Sequence, residues 1–130
     1  MGDMSDRRIA PVAAHEPPYY AVVFTSVRAE HDEGDGGDDG DDGYADTAAR
    51  MGELVQRIPG FLGEDSARTP GGLSVTIAYF RDLAGIEAWR GDAEHRAAKA
   101  YGREHWYERY SLHIAKVEHS RSYERAEAGP

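Results

Sequence analysis

Four stretches of the chain are apolar in the manner of strands, and two repeat their apolar positions in the manner of helices. Tyr19 to Arg28, YYAVVFTSVR, is aromatic and β-branched and reads as a buried strand. In Tyr44 to Ile58, YADTAARMGELVQRI, the residues Tyr44, Ala48, Met51, Leu54, Val55 and Ile58 fall on one stripe, which predicts a helix stopped by Pro59-Gly60. Phe61 to Arg68, FLGEDSAR, reads as a short half-polar strand, followed by a turn at Pro70-Gly71-Gly72. Leu73 to Phe80, LSVTIAYF, is the clearest strand. Leu73, Val75, Ile77 and Tyr79 point to one side, and Ser74, Thr76, Ala78 and Phe80 to the other.

Asp82 supplies an N-cap for a second helix beginning at Leu83. Drawn as one continuous helix, it carries Ile86, Ala93, Ala97 and Ala100 on a core-facing stripe, with Trp89 and Arg90 flanking it. Gly91-Asp92 offers an interruption, with Asp92 as a fresh N-cap, and then the face of His95 stays open. Ala88, Gly91, His95, Ala98 and Gly102 form a row in which four of five residues are small. Such a row lets another segment approach, and the following REHWYERY, Arg103 to Tyr110, is the candidate. Trp106, Tyr107 and Tyr110 in it read as anchors for the turn into a last strand from about Ser111 to Tyr123. On that strand Leu112, Ile114 and Lys116 share one face, and His113, Ala115, Val117, His119 and Tyr123 the other.

Strand, helix, strand, strand, helix, strand predicts an α+β fold, the ferredoxin-like βαββαβ plait, with a four-stranded antiparallel sheet and both helices on one face. The opposite sheet face keeps apolar residues, and a chain this short has little else to cover them. A homodimer with two sheets packed face to face is expected. The domain is drawn from 19 to 123. Residues 1–18 read as a disordered N-terminal tail, 30–43 as an acidic Gly/Asp-rich loop insertion and 124–130 as a C-terminal tail.

Composition narrows the chemistry. There is no cysteine, which removes thiol catalysis, disulfides and iron–sulfur ligation. The net charge of −9 is local: nine of the 24 acids lie between Glu30 and Asp46, leaving 15 acids to face 15 Lys and Arg elsewhere. No basic stripe stands out, so no nucleic acid is expected as a partner. No apolar run approaches the ~20 residues that span a bilayer, and the first residues lack the apolar core of a secretory signal, so a cytoplasmic, membrane-free protein is expected. No register of the acidic insertion matches an EF-hand loop, no zinc spacing is present, and no metal site is expected. His113 and His119 lie about 20 Å apart along one strand, too far to share an ion.

Three segments resemble a known family: IPGFLGEDSAR (58–68), LSVTIAYFRDLAGIEAWR (73–90) and EHRAAKAYGREHWYERY (94–110). They are similar to the antibiotic biosynthesis monooxygenases, small members of the dimeric α+β barrel superfamily, over roughly Tyr19 to Tyr123. The acidic insertion departs from the family pattern, which has a shorter link there. The resemblance implies the plait and the dimer. It leaves the reaction open, because members oxidise aromatic polyketides with O₂ and no metal or cofactor, bind and degrade heme, act as isomerases, or have no known activity. Heme-degrading members use a Trp, a heme-ligating His further along the same helix, and an Asn on the first strand. In this chain the ligand position falls near Lys99 and there is no asparagine, so heme degradation by that route is disfavoured.

Cofactor-free oxygenation asks for an apolar pocket, a base and a few hydrogen-bond donors. On that reading the catalytic candidates are His95, Arg90 and Tyr107. Trp89, Tyr79, Phe80, Trp106, Phe24 and Phe61 would line the substrate site, no cofactor is needed, and a small aromatic or polyketide-like molecule is the expected ligand. Arg81 is a further donor, and His113 and His119 are alternative bases. Each has a plainer reading beside it: Trp89 as packing against the sheet, His95 as a structural histidine under the aromatic segment, Trp106 and Tyr107 as chain anchors. A non-catalytic, ligand-binding dimer of the same fold is the alternative function.

Overall fold

The computed structural model describes residues 9–29 and 43–126. The acidic insertion falls largely outside these residues. The elements run β1 (Tyr19–Arg28), α1 (Tyr44–Val55), β2 (Phe61–Arg68), β3 (Leu73–Phe80), α2 (Leu83–Gly91), α3 (Ala93–His105) and β4 (Tyr107–Val117). The four strands form one antiparallel sheet in the order β2-β3-β1-β4. This is the expected α+β plait.

Three elements depart from the sequence reading. The first helix, expected to run to Ile58, ends at Val55. The second helix is two helices, α2 and α3, because Asp92 adopts an extended backbone between them and caps the second, accepting from His95 N–H at 2.8 Å. The break resets the phase. Ala93, Ala97 and Ala100, read as core-facing, are exposed, and the inward positions of α3 are His95, Ala98, Lys99 and Gly102. The last strand begins at Tyr107 and ends at Val117, earlier at both ends than Ser111–Tyr123. Tyr107 and Tyr110 share a helical spacing, but Tyr107 pairs with Arg28 and Arg109 with Val27, leaving Glu108 as a bulge. The extra residue returns Tyr107 to the same sheet face as Tyr110, so the three-residue spacing reflects a bulged strand and not a turn of helix.

The register sets the faces. Tyr20 pairs with Phe80, Val22 with Ala78 and Ile114, and Phe24 with Leu112. These residues look toward the helices. Phe80 is fully buried and forms the core with Val55 of α1 and Ile86 of α2; Tyr20, Val22, Ile58, Phe61, Ala78 and Trp89 pack around it. Asp82 caps α2 as its position predicts, accepting from Gly85 N–H at 3.0 Å. Gly85 needs to be glycine: a Cβ there would sit 2.9 Å from the Pro59 carbonyl and 3.1 Å from the Phe80 ring. An Arg50–Glu94 pair, 2.7 Å from Nε to Oε2, ties α1 to the start of α3.

The other sheet face carries Tyr19, Ala21, Val23, Val75, Ile77, Tyr79, His113 and Ala115. Residues 9–18, read from the sequence as part of a tail, lie against the domain. Val12 N–H donates to Asp65 at 2.9 Å, and the Val12 side chain fills the space over Gly63. Ala14 N–H donates to Ser122 Oγ, Ser120 Oγ donates to the His15 carbonyl, and Arg81 donates to the Glu16 carbonyl. The Tyr19 ring meets His15 and Tyr79 edge-on. Among the described residues, no helix is long and apolar enough to cross a membrane.

Candidate functional site

The α2–α3 break places Trp89 and His95 together. Their rings stack with centroids 3.8 Å apart and 10° between planes. The Trp89 carbonyl, at the end of α2, accepts from the Asp92 N–H at 3.1 Å and lies 2.9 Å from His95 Nδ1. A carbonyl only accepts, so Nδ1 must carry the proton, and the lone pair of the neutral imidazole is on Nε2. Burial holds His95 below the ordinary imidazole range, and nearby Lys99 acts in the same direction; the carbonyl bond and Asp92 oppose them. Near neutral pH this histidine is a neutral base with a fixed tautomer. The Trp89 ring packs against the Phe80 core and also stacks on His95.

The other candidates fall into separate groups. Phe61 and Phe80 meet edge-on within the core, 5.5 Å apart. Phe24 lies further along β1 on the same face, against Tyr107 at 5.5 Å and Tyr110 at 5.1 Å. The Tyr107 ring presses on Gly102, where a Cβ would stand 2.7 Å from it, so the following segment lies on Gly102, whereas a Cβ at Gly91 of the same row would meet nothing within 4 Å. Burial, and then the neighbouring Tyr44, push the Tyr107 hydroxyl far above its usual range. It therefore stays a protonated hydrogen-bonding group. Trp106 is 4% exposed between Tyr44 and Tyr101, and its carbonyl accepts from Ala29 N–H at 2.7 Å, an anchoring position.

Three candidates stand elsewhere. Tyr79 is on the sheet face away from the helices, beside Tyr19, where burial raises its pKa. Arg90 is on the exposed side of α2, paired with Glu87 at 3.1 Å. Arg81 holds the N-terminal segment. Of the alternative bases, His113 pairs with Val23 on the face away from the helices, and His119 lies beyond β4 at a shallow surface depression with Pro17 and Arg121. The structure thus brings His95 to Trp89, and Tyr107 to Phe24, on the helix side of one sheet, without gathering all nine residues in one wall.

The sequence reading overlooked the half-buried Lys99 as a neighbour of His95, and Tyr44 as the partner of Tyr107. The signal for Lys99 was present: starting the helical count at Asp92 puts residues 95, 99 and 102 on one side.

The chain is 43% identical over 109 residues to the uncharacterised protein YqjZ of Bacillus subtilis, covering 84% of this chain and 88% of that one. It belongs to the YqjZ family. No family model matches it. Among solved structures it resembles a variant of SnoaB, a cofactor-independent oxygenase of Streptomyces nogalater, with a TM-score of 0.62 at 12% identity over 78% of this chain and 95% of that one. A candidate antibiotic biosynthesis monooxygenase of Nitrosomonas europaea matches with a TM-score of 0.58 at 15% identity, over 77% and 89% of the two chains. These likenesses show that this YqjZ relative shares the fold of those two proteins. At such identities they carry the fold and not the reaction.

Proposed function

We propose that this protein is a monooxygenase-like enzyme that oxidises a small aromatic or polyketide-like substrate with O₂, without metal or flavin, as a homodimer. The observation that carries this reading is the Trp89–His95 pair: a neutral imidazole, its tautomer set by a backbone carbonyl, stacked on an indole at the edge of an apolar core. The fold shared with SnoaB, a cofactor-independent oxygenase, supports it.

In this mechanism an electron-rich substrate with an acidic C–H is bound beside Trp89. His95 Nε2 removes that proton, and the resulting carbanion or enolate is held in apolar surroundings where O₂ partitions well. The substrate supplies the electrons. Attack on O₂ forms a hydroperoxide, which loses water to leave a carbonyl, so that a CH₂ and O₂ become C=O and H₂O. The burial that disfavours imidazolium limits the strength of the base, so the substrate must be acidic, such as an anthrone or β-dicarbonyl compound. Tyr107, whose hydroxyl stays protonated, would donate a hydrogen bond to the substrate from the Phe24 side of the sheet face. The apolar sheet face away from the helices, including Val23, Val75 and Ile77, is where a second copy would pack.

The test is O₂ consumption with a panel of anthrones and hydroxynaphthalenes, with carbonyl product detected by mass spectrometry. Turnover that falls at least a hundredfold in His95→Gln supports the assignment. Turnover that survives the substitution removes His95 from the chemistry. No turnover with any substrate, alongside ligand binding, favours the second reading, a non-catalytic ligand-binding protein. The His95 Nδ1 contact with a backbone carbonyl, a bond a structural histidine also makes, is the observation on that side.

A further inference from the structure

The helix-covered face of the sheet is not covered to its edge. Leu112 and Ile114 point to that face from β4 yet are 50% and 48% exposed. They continue the apolar surface of their β1 partners, Phe24 and Val22. The wall above them is α3. The chain reverses at Trp106, Tyr107 folds back onto Gly102, and Arg103 Nη1 reaches Tyr110 Oη at 3.5 Å. Helix and strand therefore diverge from a shared end. Moving back from Arg103 to His95 rises about 12 Å along the helix, and moving on from Tyr110 to Ile114 advances about 13 Å along the strand. By these lengths Lys99 is level with Leu112 along the strand direction, and His95 with Ile114.

His95, Lys99 and Arg103 are spaced four residues apart, on adjoining turns of one side of α3. Among the described residues, no carboxylate is within ion-pair distance of Lys99 or Arg103, although Glu94, Glu104 and Glu108 are near in sequence. Those acids pair with Arg50, His105 and Arg109 instead. Two cations without acid partners among the described residues, beside an apolar floor, match a ligand that is apolar on one side and anionic on the other.

We infer that the groove between α3 and β4, floored by Val22, Phe24, Leu112 and Ile114, binds an aromatic carboxylate or similarly acidic aromatic, its anion held by Lys99 and Arg103. The inference rests on the proposed function for the location of the site and adds the charge of the ligand. In that arrangement the ring lies on the floor, the acid group points toward the converging end at Lys99 and Arg103, and the opposite edge of the ring approaches His95 at the wider end.

The test is calorimetric titration of the wild-type protein with 2-naphthoate and with the isosteric neutral 2-naphthylmethanol. The expected result is binding of the carboxylate at least tenfold tighter than the alcohol, with the difference shrinking as salt rises. Lys99→Met with Arg103→Met should abolish the preference, leave alcohol binding within about threefold, and leave the circular dichroism spectrum unchanged. Equal binding of both probes, a preference that survives the double substitution, or no binding of either would overturn the inference. Carboxylate binding that disappears as protein concentration rises through self-association would place a second copy in the groove, and would also overturn it. The oxygenase reading fails independently: a charge preference without O₂ uptake leaves this site standing, and O₂ uptake without a charge preference leaves only the reaction.

Discussion

Phe80 and Leu112 belong to the same face of the same sheet, with β1 between their strands, and their surroundings differ in kind. Around Phe80 two helices and a loop close down, with Gly85 admitting the Pro59 carbonyl so nearly that no side chain fits between. Around Leu112 the helix stands off, and half of the side chain meets solvent. One end of the face is closely packed and the other is open. The Trp89 ring packs against the core and stacks on His95.

The sharpest way to break this comparison is truncation at each end. Phe80→Ala should cost about 3–5 kcal/mol, since it empties a fully buried aromatic site. Leu112→Ala should cost under about 1 kcal/mol, because little apolar area is withdrawn from water there. Urea denaturation measures both, and equal losses would erase the distinction between the two ends.

Glycine replacements probe the same contrast at smaller amplitude. Gly85→Ala should destabilise by about 1–3 kcal/mol through collision with backbone that cannot yield. Gly52→Ala, in α1 with nothing within 4 Å of the added methyl, should stabilise by up to about 1 kcal/mol through helix propensity alone. Opposite signs in thermal unfolding are expected; a shared sign would mean that the approach of α2 is looser than described.

The smallest effect concerns pH and sharpens the boundary residue. His95 has a lowered pKa in the folded state, so the unfolded chain takes up the proton first as pH falls. Its neutral form supports the fold fully above the unfolded value of about 6.5, and that support is lost as pH falls through the folded pKa. Between pH 7 and pH 5 the wild type should therefore lose more stability than His95→Gln, measured as the shift in urea midpoint. If the two lose the same amount, His95 is less enclosed than its stacking on Trp89 implies.

Much of the fold could be read from the residues. The alternation in Leu73–Phe80 assigns Phe80 and Tyr79 to opposite faces, and the cap at Asp82 is where it was expected, while the first helix ends at Val55, three residues short of the Ile58 read before Pro59-Gly60. The site was less legible, because it depends on helix phase. A single continuous helix turns His95 outward, and only the extended backbone at Asp92 turns it in. Both outcomes are compatible with the residues Gly91-Asp92, so local sequence could not choose between them. The bulge at Glu108 is similar: it is defined by pairing with β1, some eighty positions earlier, and a helical spacing of tyrosines is what it leaves in the sequence. Arg90 and Tyr79 were drawn into the candidate list by residue type, and a partner at Glu87 and a place on the far sheet face separate them from His95.

The clasp between the two ends of the described chain sets a schedule for synthesis. Ala14 and His15 find their partners at Ser122 and Ser120, more than a hundred residues later, and β1 stays open on one side until β4 has been made. A chain emerging from the ribosome can form α1 and the β2–β3 hairpin early, but β1 waits with one edge unpaired. That wait, with Val22, Val23 and Phe24 in an unfinished strand, is the interval in which a nascent chain of this architecture is most exposed to aggregation.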